Sequence, residues 1–233
     1  MRTLVITGAS RGLGYHVARR ALELGNQVIA VARSDAGLRE LQMAWPASCY
    51  PVIGDITNVE TKGILDSAIV KAGESVHMLI NNAGTPGKGS SFLSTVPDQL
   101  YAEFGVHCVG PLLATQACAK YFEPGSIIVN ITSRLGSIGR TSAGEFSTIE
   151  TSYSYRIAKA AQNMLSLCFT QDPALTGVIV CGLHPGRIKS GCGRSDAPTE
   201  PAEAANRYMR WSESISKEMH GRCYDLNAGE MLW

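Results

Sequence analysis

A doubly wound α/β fold, one domain with a parallel sheet between two helix layers, is what these 233 residues predict. Three observations carry that expectation. Short apolar runs rich in Val and Ile alternate with amphipathic stretches along most of the chain. Those runs lack the in–out alternation of a half-solvated strand, which suits strands buried on both faces. A glycine-rich turn, "TGASRGLG" at 7–14, closes the first run and opens the first helical stretch. Repeated strand–helix pairs then argue crossover helices and a parallel sheet.

The strands follow in order as "TLVITG" (3–8), "QVIAVAR" (27–33), "SCYPVIGD" (48–55), "HMLINNAG" (77–84), "SIIVNITS" (126–133) and "GVIVCGLHPG" (177–186). Helices are expected between them over 12–25, 35–45, 58–73, 97–121 and 153–171. Asn58 is placed to cap the third, in which Ile64, Leu65, Ala68 and Ile69 recur at helical spacing. Residues 187–210 are Gly/Pro/Ser-rich and then helix-like, so a small lid is expected there, with an ordinary surface loop as the alternative.

A chain of this length, 45% hydrophobic, has enough apolar surface for a sizeable core. Its net charge of +1 offers no basic face for nucleic acid. No apolar run approaches the roughly 20 residues that span a bilayer, so no membrane partner is expected. "MRTLVITGASRG" is read as a strand and turn, not as a signal peptide. The seven cysteines form no C-x-x-C pair, which fits reduced thiols in the cytoplasm and no metal site.

The glycines Gly8, Gly12 and Gly14 are spaced G-x-x-x-G-x-G, not as the G-x-G-x-x-G dinucleotide fingerprint. The physics is shared: a tight turn, close approach of backbone to a pyrophosphate, and the free N–H groups of a helix N-terminus. Ser10 and Leu13 lie within the same loop. An NAD site usually ends its second strand near a carboxylate; this chain offers Arg33 there and Arg11 in the loop. Two guanidiniums without that acid suit a 2′-phosphate, so the cofactor expected is NADP(H). Asp55, followed by Ile56, is a candidate for the adenine amino group, and Asn82, Ala83 and Gly84 for the ribose wall. Either stretch is also compatible with an Asx-type turn that binds nothing.

"SYSYRIAKAAQN" (152–163) sets Tyr155 and Lys159 four apart, on one helix face, with Tyr153 directed elsewhere. A phenol titrates near pH 10, so ionising it at neutrality costs about 4 kcal/mol. One ammonium about 4 Å away, at an effective dielectric of about 20, contributes a term of that size. Alone, Tyr-x-x-x-Lys also occurs on many solvated surface helices.

"TGASRGLG", "GDIT", "NNAG", "IVNITS", "YSYRIAK" and "HPGRIKSG", in this order and spacing, resemble the short-chain dehydrogenase/reductase family over essentially the whole chain. The closing segment is similar to its carbonyl-reductase branch, the sniffer and C-factor proteins. The resemblance implies a Rossmann-like fold and hydride transfer between NADP(H) and a small carbonyl or alcohol substrate. It also implies a homodimer or homotetramer formed through 97–121 and 153–171. By the same likeness Tyr155 is the acid/base, Lys159 its partner and a holder of the nicotinamide ribose, and Ser133 the hydroxyl that orients the carbonyl. Pro185 and Gly186 would lead the segment around the carboxamide, with Ile188 giving backbone groups and Ser190 a hydroxyl. Thr132 is expected to be an ordinary strand residue, with a second active-site hydroxyl as the alternative, and His184 a strand-end histidine satisfied by backbone, with a pocket residue as the alternative.

Two departures from the family stand out. In "EFGVHCVGP", His107 replaces an asparagine that bends the helix and anchors a proton relay to Lys159. If His107 carries the relay, an unperturbed imidazole would add an inflection near pH 6.5, about its free value. The stretch "RLGSIGRTSAGEFSTIETSYS" (134–154) is also long for the family and is expected to form part of the substrate rim. Against the reductase reading stand a catalytically silent NADP-binding sensor or scaffold and a nucleotide-sugar epimerase or dehydratase. The silent reading is weakened because Ser133, Tyr155 and Lys159 are all present, and the epimerase because such enzymes need a larger substrate domain.

Overall fold

The computed structural model describes residues 1–87, 91–148, 152–189 and 196–233. Its strands are β1 (Thr3–Thr7), β2 (Gln27–Ala32), β3 (Cys49–Ile53), β4 (Met78–Asn81), β5 (Ile127–Ile131), β6 (Ile179–His184), β7 (Cys223–Asp225) and β8 (Gly229–Met231). They form one sheet in the order β3-β2-β1-β4-β5-β6-β7-β8. Every pairing is parallel except that of β7 with β8. The helices are α1 (Gly12–Glu23), α2 (Ala36–Ala44), α3 (Val59–Lys71), α4 (Pro97–Phe104), α5 (Gly110–Cys118), α6 (Ile138–Ser142), α7 (Tyr153–Thr170) and α8 (Pro201–Ser212).

The unalternating strands have the predicted cause. Leu4, Ile6, Val28, Ala30, Ile80 and Val129 pack into the core layer of α1, α2 and α8. Val5, Ile29, Val31, Leu79 and Ile128, alternating with them on the same strands, pack with Val180 of β6 into the layer of α3, α5 and α7. Both faces are apolar because both are covered. Strand order reverses where β1 lies between β2 and β4, and such a switch point opens a crevice at the strands' carboxyl ends.

Four features differ from the sequence expectation. Residues 97–121 are not one helix: a π-helical turn, Gly105–Val109, separates α4 from α5. Pro111 has no N–H to return to the His107 carbonyl, so the ordinary ladder cannot run through this point. Asn58 holds the N-cap position of α3 but makes no side-chain bond there. The turn is closed instead by Asp55, whose Oδ1 accepts from Thr57 N (2.9 Å) and Oγ1 (2.8 Å), and by Thr61 Oγ1 donating to the Asp55 carbonyl (2.6 Å).

The helical half of the expected 187–210 lid belongs to the core: Tyr208 and Met209 of α8 are buried in the same cluster as Val17 and Ala21 of α1. The flanks of the preceding stretch meet where Ile188 pairs with Thr199. Ser190 lies outside the described residues. Finally, β7 and β8 extend the sheet beyond β6; at three residues each they are too short to show a period.

Candidate active site

A cavity of about 770 Å³ opens along the carboxyl ends of β1, β4, β5 and β6. Gly8, Ser10, Arg11, Gly12 and Leu13 line one side, Arg33, Asp55 and Ile56 one end, and Asn82, Ala83 and Gly84 the floor. Pro185, Gly186 and Ile188 close the opposite side. Ser133, Tyr155, Lys159 and His107 share the same space. Thus residues drawn from 8 to 188 in sequence converge on one site. Gly14 is the exception: it is buried beneath the loop.

The glycine loop is held by a residue that sequence reasoning missed. Thr7 Oγ1 accepts from both Asn82 N and Ala83 N at 3.0 Å, while Asn82 Nδ2 donates to the Thr7 carbonyl at 2.9 Å. These bonds bring Gly8, at φ +71°, so close to β4 that a Cβ there would lie 2.8 Å from Ala83 Cα. Asn82 therefore braces the loop as well as lining the cavity. At its mouth α1 starts at Arg11 without a side-chain cap, and no acid occupies its first turn. Uncapped N–H groups with no competing carboxylate suit an anionic ligand. At the adjoining end Arg33 lies 3.8 Å from Asp55, both partly exposed. Such a contact holds a guanidinium weakly.

Lys159 is buried and directed by its own bonds: Nζ donates to the Ile131 carbonyl at 2.7 Å and to Gln162 Oε1 at 2.9 Å. It stands 5.7 Å from the centre of the Tyr155 ring. Helix α7 carries both residues, with Ser152 as its N-cap accepting from Tyr155 N. The close approach of α7 to the end of β5 depends on Gly136, where a Cβ would lie 2.7 Å from the Lys159 carbonyl carbon. Ser133 Oγ accepts from Leu135 N at 3.2 Å, leaving its proton to donate. Thr132 has its own buried partner, Asn163 Oδ1 at 2.5 Å. Tyr153, directed away from that face, is exposed and outside the cavity.

His107 sits in the π-helical turn, 1% exposed, with its ring edge-on to Tyr155 at 5.4 Å between centroids. Its Nε2 is 3.2 Å from Glu103 Oε2, but the approach is not directed as a hydrogen bond. Burial, reinforced by the Lys159 charge, pushes the imidazole down to about 4 despite Glu103. Burial pushes the Glu103 carboxyl up, yet the His107 and Thr85 side chains beside it, with the Lys159 charge, hold it below its usual value. A neutral imidazole beside a buried carboxylate is the state at neutral pH. Glu103 is one helical turn before His107, an i,i+4 spacing that could have flagged it in the sequence. His184 lines the cavity and is not satisfied by backbone: among the described residues its buried Nδ1 has no hydrogen-bond partner, and burial pushes the ring down to about 4.

The crevice at the strand ends, the glycine loop and the Ser133, Tyr155 and Lys159 side chains thus share one cavity of an α/β fold. The short chain dehydrogenase pattern matches residues 2–201, and the chain belongs to that family. A Rhodococcus 1-hydroxy-2-glutathionyl-2-methyl-3-butene dehydrogenase is 27% identical over the full length of both chains. Two solved structures share the fold at a TM-score of 0.89. One is an NADPH-bound carbonyl reductase from chicken fatty liver (24% identical, covering 100% of this chain and 99% of that one). The other is the carbonyl reductase Sniffer of D. melanogaster (21% identical, 100% of each chain).

Proposed function

We propose that the protein is an NADP(H)-dependent reductase of ketones or aldehydes, able to run in reverse on the alcohol. The observation that carries this reading is the convergence of Ser133, Tyr155 and a buried, directed Lys159 on the same cavity as the glycine loop. The residues present fit the cofactor: Gly8 turns the loop at φ +71° against the end of β4, the N-terminus of α1 carries no side-chain cap, and Arg11 and Arg33 line the same cavity. NADPH, when bound, supplies the hydride.

The chain's residues do the rest. Ser133 donates a hydrogen bond from its hydroxyl to the carbonyl oxygen, keeping its proton, and fixes the direction of the carbonyl. Tyr155 donates a proton to that oxygen as negative charge develops, an interaction strongest in the transition state. The Lys159 ammonium favours the phenolate that remains and holds the nicotinamide ribose. The neutral imidazole of His107, beside Tyr155, can accept and return a proton on the path back to solvent. Asp55 and the backbone of Ala83 and Gly84 would hold the adenosine half of the cofactor, and Pro185, Gly186 and Ile188 the nicotinamide half, with Ser190 assigned there by family likeness. Arg11 and Arg33 favour NADP(H) over NAD(H) through the 2′-phosphate.

Tyr101, Phe104, Ile157 and Met164 expose apolar surface on α4 and α7, which supports a homodimer or homotetramer through those helices. The six described cysteines are free thiols, in keeping with a cytoplasmic enzyme. No described helix is long and apolar enough to cross a membrane. The test is a panel of carbonyls and alcohols followed by NADPH absorbance. Consumption of NADPH with at least one ketone or aldehyde is expected, and no turnover of any carbonyl or alcohol would favour the silent-binder alternative.

A further inference from the structure

Around Phe146 the chain gathers three arginines, of which one, Arg134, lines the cavity. Phe146, itself buried, is surrounded by the guanidiniums of Arg134, Arg140 and Arg156, each 5.7–5.8 Å from the ring centre. Among the described residues Glu145 and Asp225 answer these charges: Arg140 grips Glu145 with two bonds, at 2.6 and 2.5 Å, and Asp225 acts on Arg140 through space. Arg156 donates to the Thr141 hydroxyl; Arg134 has only a 3.9 Å approach to the same Glu145. Arg134 directly follows Ser133, lines the cavity, and keeps 32% of its side chain exposed.

A guanidinium held at cation–π distance from a buried ring, with a poorly matched charge at a cavity wall, is a preorganised receptor for a planar anion. The field reaches the interior: Arg134, Arg140 and Lys159 all add to the burial that lowers the His184 imidazole, with Asp225 opposing. From this geometry, and resting on the reductase reading, we propose that Arg134 selects carbonyl substrates that carry a carboxylate. The carbonyl end would meet Ser133 and Tyr155 while the carboxylate meets the Arg134 fork.

The experiment compares 4-carboxybenzaldehyde with its neutral methyl ester, methyl 4-formylbenzoate, as NADPH-dependent substrates. The acid should show a KM lower by about tenfold at low salt, the usual scale of a charge-assisted contact, and the gap should close as salt is raised. Arg134→Gln should bring the two KM values together, and Arg134→Lys should restore part of the gap. Arg19→Gln, a surface change on α1, should leave the ratio as it is. Equal KM values in the wild type, or an equal loss on both substrates in Arg134→Gln, would overturn the proposal. Calorimetry of benzoate and benzamide separates this subsite from the reductase reading. Preferential benzoate binding that Arg134→Gln abolishes would uphold the subsite even if neither aldehyde is reduced, whereas no preference would overturn it.

Discussion

Lowering the pH from 7 towards 4 exposes what it costs to bury His107. In the unfolded chain the imidazole takes up a proton near pH 6.5, but in the folded chain burial and Lys159 delay that to about 4. Between those values the unfolded state binds more protons, so stability falls as the pH falls and is unaffected above the window. At about 1.4 kcal/mol per pH unit, the full window corresponds to about 3 kcal/mol, and pH 5 to about 2. Such a loss is a large part of the roughly 5–15 kcal/mol that holds a domain folded. The Glu103 carboxyl, held below its usual value, stabilises the fold above its unfolded pKa and is lost only as pH falls further. Urea unfolding of the wild type and His107→Asn at pH 7, 6, 5 and 4.5 isolates the His107 contribution, because His184 is common to both. The stability difference should move by about 2 kcal/mol between pH 7 and 5, against the wild type. Parallel lines would refute the buried, neutral imidazole. For turnover, the inflection expected near pH 6.5 from the sequence moves to about 4, while Asn retains most activity and Leu slows reduction severely.

Other outcomes follow from the same geometry. Wild-type protein should bind NADPH at least about tenfold tighter than NADH, and Arg33→Asp should narrow or invert that ratio; equilibrium titration of both cofactors measures it. Tyr153→Phe should leave kcat nearly unchanged, since the ring is outside the cavity. Gly136→Val forces a side chain against the Lys159 backbone; thermal melts should show a drop of roughly 4–8 °C, from about 2 kcal/mol of overpacking.

Much of this arrangement was legible because it depends on local chemistry. The six long strands declare themselves through double burial, and the glycine loop through its position after the first of them. Tyr155 and Lys159 share a helix face by spacing alone, whereas their meeting with Ser133 follows only from parallel pairing of β5 within the sheet. What escaped was tertiary. Thr7 braces the loop across 75 residues, and nothing around it distinguishes it from any strand threonine. The break at Gly105–Val109 needed Pro111 to be read as a missing donor within an otherwise helical run. His184 reads as a satisfied strand end until the absence of a partner for its buried Nδ1 is seen. Arg33 and Asp55, assigned separate tasks by sequence, face each other at the cavity end.

The central claim is that Tyr155 transfers the proton to substrate oxygen and does little to hold the cofactor. Measuring kcat and the NADPH dissociation constant on the same preparation of Tyr155→Phe tests it most directly. Turnover should fall by about 10²–10⁴-fold, the range for loss of a positioned acid, while cofactor affinity changes by less than about threefold. A Phe variant that keeps near wild-type turnover, or one whose lost turnover is matched by lost NADPH binding, would contradict the account.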